Sequence, residues 1–68
     1  MTTIYTTSRC LTVKESYETI ADFLQRDEQK MIELTEVITI YGEMTGEIYT
    51  NEKKVLLNKK YIVEVLTS

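Results

Sequence analysis

Chemistry at neutral pH needs residues that move protons, hold metals or attack electrophiles, and this chain carries few of them. It has no histidine, which removes the usual general base and both the Ser-His and Cys-His pairs. Its single cysteine, Cys10, is the one candidate nucleophile. Nothing nearby in sequence offers it a base. The adjacent Arg9 would lower the thiol pKa slightly, and an incidental thiol is the simpler reading. The eleven carboxylates are numerous enough for a glycosidase-like pair. They are scattered along solvent faces, however, and so small a domain has little room for a cleft. Glu15, Glu18 and Asp22 stand at i, i+3, i+7 spacing, and carboxylates suit hard cations such as calcium or magnesium. No oxygen-rich loop of the EF-hand kind accompanies them, so a solvated acidic helix face explains them better. Gly42 and Gly46 match neither a P-loop nor a dinucleotide fingerprint; they read as hairpin glycines. The expectation is a protein with no catalytic residues, no cofactor, no bound metal and no small-molecule substrate.

The remaining feature with chemical content is basic. Lys53, Lys54, Lys59 and Lys60 place four of the eight basic residues in eight positions. Residues 10–50 carry a local charge of −6, residues 51–64 one of +2. With Tyr49 and Tyr61 beside them, these lysines would suit a single-stranded nucleic acid, bases stacking on the rings and phosphates meeting the ammonium groups. Against this, the pI is about 4.8 and arginine, the better reader of bases, is scarce. Lysines at strand ends and edges also block edge-to-edge aggregation, and that is the preferred reading. The five tyrosines fit a protein contact, because each offers a rigid apolar face with a polar tip.

The elements that must position these residues can be read from spacing. A chain of 68 residues is one domain, small enough that its core is marginal without aid. One cysteine gives no internal disulfide, and without histidine no structural zinc site assembles. That leaves good packing or self-association, and for the second a homo-oligomer, most simply a dimer, is expected. The composition, 43% hydrophobic and 28% charged, is that of a folded soluble protein. The start "MTTIYTTSRC" lacks the basic-then-apolar form of a signal peptide, no apolar run reaches membrane-spanning length, and a lone thiol fits a reducing compartment. The expected location is cytoplasmic.

Residues 9 to 13 form a short strand. Tyr17, Ile20, Ala21 and Leu24 then make an apolar stripe on a helix from Tyr17 to about Arg26, capped by Ser16. "MIELTEVITIY" alternates with period two, Ile32, Leu34, Ile38 and Ile40 on one parity, and reads as a strand in which the charged Glu36 marks a bulge or bend, or the edge of the buried patch. The glycine-bearing "YGEMTGE" reverses the chain. "EIYT" starts a strand, Asn51 turns it, "KVLL" follows, Asn58 shapes a tight turn, and "YIVEVL" ends the fold. The predicted core is Leu11, Val13, Tyr17, Ile20, Ala21, Leu24, Ile32, Leu34, Ile38, Ile40, Val55, Leu57, Ile62 and Val63. The fold class is α+β: a small, mostly antiparallel sheet of about five short strands, or a partly open barrel, with one helix packed on a face.

"MIELT" together with "KVLLNKKYIVEV" resembles the opening strand and Leu-Asn turn of small flagellar proteins of the FlbD or SwrD type. "LTVKESYETI" resembles the strand-to-helix segment that ends those proteins. The two blocks stand here in reversed order, and residues 36 to 52 are additional. The chain also looks like small uncharacterised proteins of phages and prophages of Gram-positive bacteria. These resemblances imply a β-rich module with one helix and no catalytic or binding residue. The functional expectation is a non-enzymatic protein–protein interaction module, self-associating or modulating a host protein, with single-stranded nucleic-acid binding through Tyr49, Lys53, Lys54, Lys59, Lys60 and Tyr61 as the alternative.

Overall fold

A computed structural model of the chain describes residues 1–44 and 46–67. Five strands and one helix follow in the order β1 (Thr2–Thr6), β2 (Cys10–Val13), α1 (Tyr17–Gln25), β3 (Met31–Tyr41), β4 (Ile48–Asn58), a 3₁₀ turn (Lys59–Tyr61) and β5 (Ile62–Thr67). The strands form one sheet in the order β4-β3-β2-β1-β5, and all four pairings are antiparallel. The α+β class expected from the sequence is therefore the observed one.

The two edge strands, β4 and β5, are consecutive in the chain, joined by three residues. In a flat sheet five strands wide the edges would lie about 19 Å apart. Four Cα steps from Asn58 to Ile62 reach at most about 15 Å. The sheet must therefore curl at this end. The curl is visible in two backbone bonds: Thr7 N–H donates to Tyr61 O at 2.9 Å, and Lys59 N–H donates to Lys30 O at 3.0 Å.

The core lies inside the curl. Ile4, Leu11, Val13, Ile20, Ile32 and Leu34 are buried together, with Phe23, Leu24, Val55, Leu57, Ile62 and Val65 packed around them. Ile20 is the buried residue of α1, and its full burial stabilises the fold by about 2–3 kcal/mol. A nine-residue helix would not persist alone, so this contact keeps it folded. Ser16 sits at the N-cap and accepts from Thr19 N–H.

Several expectations are corrected. β1 was not expected; its single buried aliphatic residue, Ile4, gives too little alternation to read. Thr2 is buried beside it because its hydroxyl donates to Glu15 O at 2.8 Å. No turn occurs at Asn51: β4 runs unbroken, with Asn51, Glu52 and Lys53 opposite Ile38, Val37 and Glu36. Opposite charges across the ladder and an ion pair from Lys14 to Glu52 at 3.3 Å outweigh the turn preference of asparagine. The register also runs straight through Glu36. The irregularity falls instead between β1 and β5, where the register shifts at Tyr5/Thr6. That shift turns both Ile62 and Val65 toward the core and leaves Val63, expected inside, 69% exposed. Tyr17, Ile38 and Ile40 are likewise exposed rather than buried.

Candidate interaction surface

The exposure of Ile38 and Ile40 follows from where β3 loses its neighbour. β2 meets β3 at the pair Val13 with Glu36. Lys14 N–H donates to Thr35 O, and the next position of the ladder is filled by a side chain: Glu15 Oε1 accepts from Thr35 N–H at 2.8 Å. Beyond Glu36, β3 and β4 pair with each other alone among the described residues. Val37 to Tyr41 opposite Ile48 to Glu52 form a two-stranded arm projecting from the body. The molecule measures 47 × 22 × 18 Å, with a radius of gyration of 13.5 Å, where a compact chain of this length would have about 11 Å.

The arm is apolar. Cross-strand partners share a face, so Ile38 and Ile40 lie with Tyr49, on the same side of the sheet as the core. Tyr41 and Ile48 face the other way, and Met44 stands at the tip, 98% exposed. Between Val37 and Asn51 the charged residues are Glu43 and Glu47, with no lysine or arginine. The turn is closed by Gly42 N–H donating to Glu47 O. Gly46 has φ +69°, the left-handed region that favours glycine.

A polar belt separates this apolar surface from the core. Glu36, 7% exposed, continues the core face of β3. Arg9 Nη1 donates to Glu36 Oε2 at 3.0 Å, and Lys53 Nζ lies 3.8 Å from Glu36 Oε1. Oε1 itself accepts no hydrogen bond. Arg9 is thus committed to Glu36 rather than to Cys10, whose thiol is exposed at the start of β2.

The six residues singled out in the sequence are dispersed. Tyr49 stands on the arm, and Lys53 and Lys54 lie at its base, on opposite faces of β4. Lys59, Lys60 and Tyr61 make up the 3₁₀ turn. Ten residue steps along β4 lead from Tyr49 to Lys59, a span of about 33 Å. Several of the lysines carry structural bonds. Lys54 donates to Thr35 Oγ1 at 3.2 Å and lies 3.9 Å from Glu33. Lys59 Nζ donates to Leu24 O and Arg26 O, satisfying the carbonyls that end α1. Lys60 lies over the Tyr61 ring at 5.1 Å, and its N–H donates to Asn58 Oδ1, the turn expected at Asn58. The acidic candidates are likewise engaged: Glu15 holds β3, and Asp22 pairs with Arg26 at 2.6 Å. Among the described residues no group of three or more Cys, Asp or Glu is placed to hold a metal ion, and no helix is long and apolar enough to cross a membrane. The sequence signal for the arm was the charge-poor run from Val37 to Tyr41, which period-two reasoning assigned to the core.

No family model, curated protein or solved structure matches this chain.

Proposed function

We propose that this chain is a small, non-enzymatic protein–protein interaction module of the cytoplasm and that the β3–β4 arm is its recognition element. One observation carries the reading: the arm sets Ile38, Ile40, Tyr41, Met44, Ile48 and Tyr49 in solvent on a two-stranded ribbon. A two-stranded hairpin is marginal in water by itself, and clustered exposed apolar side chains mark contact sites. The net charge of −3 favours partners with basic surfaces. The resemblance to phage and prophage proteins suggests a host protein as one such partner.

Cross-linking mass spectrometry in the source cell tests this. Cross-links through Lys53 and Lys54 at the arm base are expected for the natural chain and are expected to vanish in an Ile40→Asp/Ile48→Asp variant that keeps its circular dichroism. An unchanged cross-link set would remove the arm as the recognition element. Single-stranded nucleic-acid binding has less support, because its candidate residues are spread along β4 and partly engaged. Failure to bind a labelled oligonucleotide at low salt would dispose of it.

A further inference from the structure

Resting on the arm as the recognition element, we infer that its occupant is a second copy of this chain, joined edge to edge along β4 in an antiparallel, two-fold arrangement centred on Asn51.

The hydrogen-bond phase defines what β4 offers. Gly42 N–H donates to Glu47 O, and Lys59 N–H donates to Lys30 O. Both bonds fit the register that sets Ile40 opposite Tyr49, and hydrogen-bonded pairs alternate along an antiparallel ladder. The odd-numbered residues of β4 therefore bond to β3. Ile48, Thr50, Glu52, Lys54 and Leu56 turn their backbone N–H and C=O groups outward. Thr35, on the other side of β3, confirms the phase, since its N–H and C=O both point toward the β2 side. β4 is thus an 11-residue edge strand. Its lysines, the usual guard of such an edge, stop at Lys53, leaving 48–51 without a charge.

Charge and strand overlap then select the register. A two-fold axis perpendicular to the sheet keeps both copies' faces aligned and pairs residues whose numbers sum to an even value. Centring on Glu52, Lys53 or Lys54 opposes like charges, which is unfavourable. Centring on Val55 leaves the apolar arm uncovered, and centring on Thr50 brings only three outward pairs of the strand together where Asn51 brings four. Centring on Asn51 sets Ile48 opposite Lys54, Tyr49 opposite Lys53 and Thr50 opposite Glu52. The outward groups then meet in hydrogen-bonded pairs, giving about eight backbone bonds at two per pair. Asn51 meets itself in a narrow, non-hydrogen-bonded pair. The acidic loop of each copy runs along the basic end of the other's β4: Glu43 comes level with Lys59 and Lys60, and Glu47 is diagonal to Lys53. The two arms become one four-stranded sheet with Ile38, Ile40 and Tyr49 of both copies on one face, above the strand number at which such structures stand alone.

Sedimentation equilibrium of the chain at high micromolar concentration is expected to give a dimer. Thr50→Pro removes an outward N–H while leaving the β3 ladder intact, and is expected to weaken the dimer by about tenfold or more; Thr50→Ala, which keeps the N–H, is expected to leave it unchanged. In a Cys10→Ser background, Asn51→Cys is expected to oxidise to a disulfide-linked dimer, and Thr39→Cys, on the opposite edge of the arm, is not. A strictly monomeric natural chain, a dimer indifferent to Thr50→Pro, or equal cross-linking at both cysteine positions would overturn the inference. Loss of a cellular partner by the Ile40→Asp/Ile48→Asp variant alongside a monomeric natural chain would leave the arm reading standing and this inference fallen.

Discussion

The Arg9 guanidinium reaches Glu36 at 3.0 Å, tying the turn ahead of β2 to the point on β3 where the two strands part. Glu36 is a nearly buried carboxylate at the margin of the core, and Arg9 remains partly exposed, with 45% of its side chain accessible. The pair has the asymmetry of buried charges: breaking it is costly, whereas replacing the buried charge with an apolar group of similar volume is not.

Arg9→Ala is therefore expected to destabilise the fold by about 1–3 kcal/mol, the cost of leaving an ionised acceptor under-satisfied. Glu36→Met is expected to be neutral or mildly stabilising, and Arg9→Ala added to Glu36→Met is expected to cost little more. Urea denaturation of the four proteins of this double-mutant cycle measures the coupling. Additive effects would mean the two groups do not interact.

Glu15 gives a pH dependence. Burial raises its pKa, but hydrogen bonds from Thr35 and from its own backbone, aided by the Lys54 charge, lower it further, and the net direction is down from 4.5. A folded-state pKa below the unfolded value contributes stability that is present above the unfolded pKa and lost as pH falls through the folded one. Glu15→Gln is expected to be less stable than the natural chain at neutral pH. The gap should close as the pH drops below 4.5, the reference value. Thermal melts from pH 7 to pH 3 check this; a constant gap would mean the carboxylate charge plays no part.

Lys59 and Lys60 are neighbours with different work. Lys59→Ala removes the donor to the α1 carbonyls and is expected to cost about 0.5–1.5 kcal/mol, while Lys60→Ala should fall within about 0.5 kcal/mol of the natural chain. Equal losses in denaturant midpoint would contradict the helix-end role.

Ile20 and Ile40 carry the same side chain in opposite settings. Ile20→Ala, from a fully buried position, is expected to cost about 2–5 kcal/mol. Ile40→Ala, at 44% exposure, should cost well under half as much in the monomer. Chemical denaturation at low protein concentration separates the two.

Much of the body was legible in the sequence because local chemistry dictates it. Ser16, the spacing from Ile20 to Leu24, and Asn58 each act within one turn, and the structure places them as read. What was not legible depends on partners distant in sequence. Alternation along Ile32, Leu34, Ile38 and Ile40 reports a strand face but not where the covering layer stops, and here it stops at Glu36, where β2 departs. The charge at Glu36 marked that boundary: of the readings it allowed, a bulge or bend or the edge of the buried patch, the last is the observed one. Val63 was misplaced because a register shift against β1 changes parity, and no residue within β5 signals it. At the candidate site, the lysines were visible as a cluster along the chain, but only the ladder shows that β4 stretches them over its length and that α1 takes Lys59 for its own end.

The pairing of the first strand with the last governs how the molecule must be made. Thr2 pairs with Thr67 and Ile4 with Val65, so the seam of the sheet closes last. At synthesis rates of about 5–20 residues per second, β1 waits roughly 3–12 s for β5 to be translated. The β3–β4 hairpin is complete only at Asn58, so it precedes the end of β5 by roughly 0.5–2 s at the same rates, ample for a hairpin that forms within microseconds. The ribbon is thus the first long-lived surface of the molecule, formed before the strand that completes the sheet.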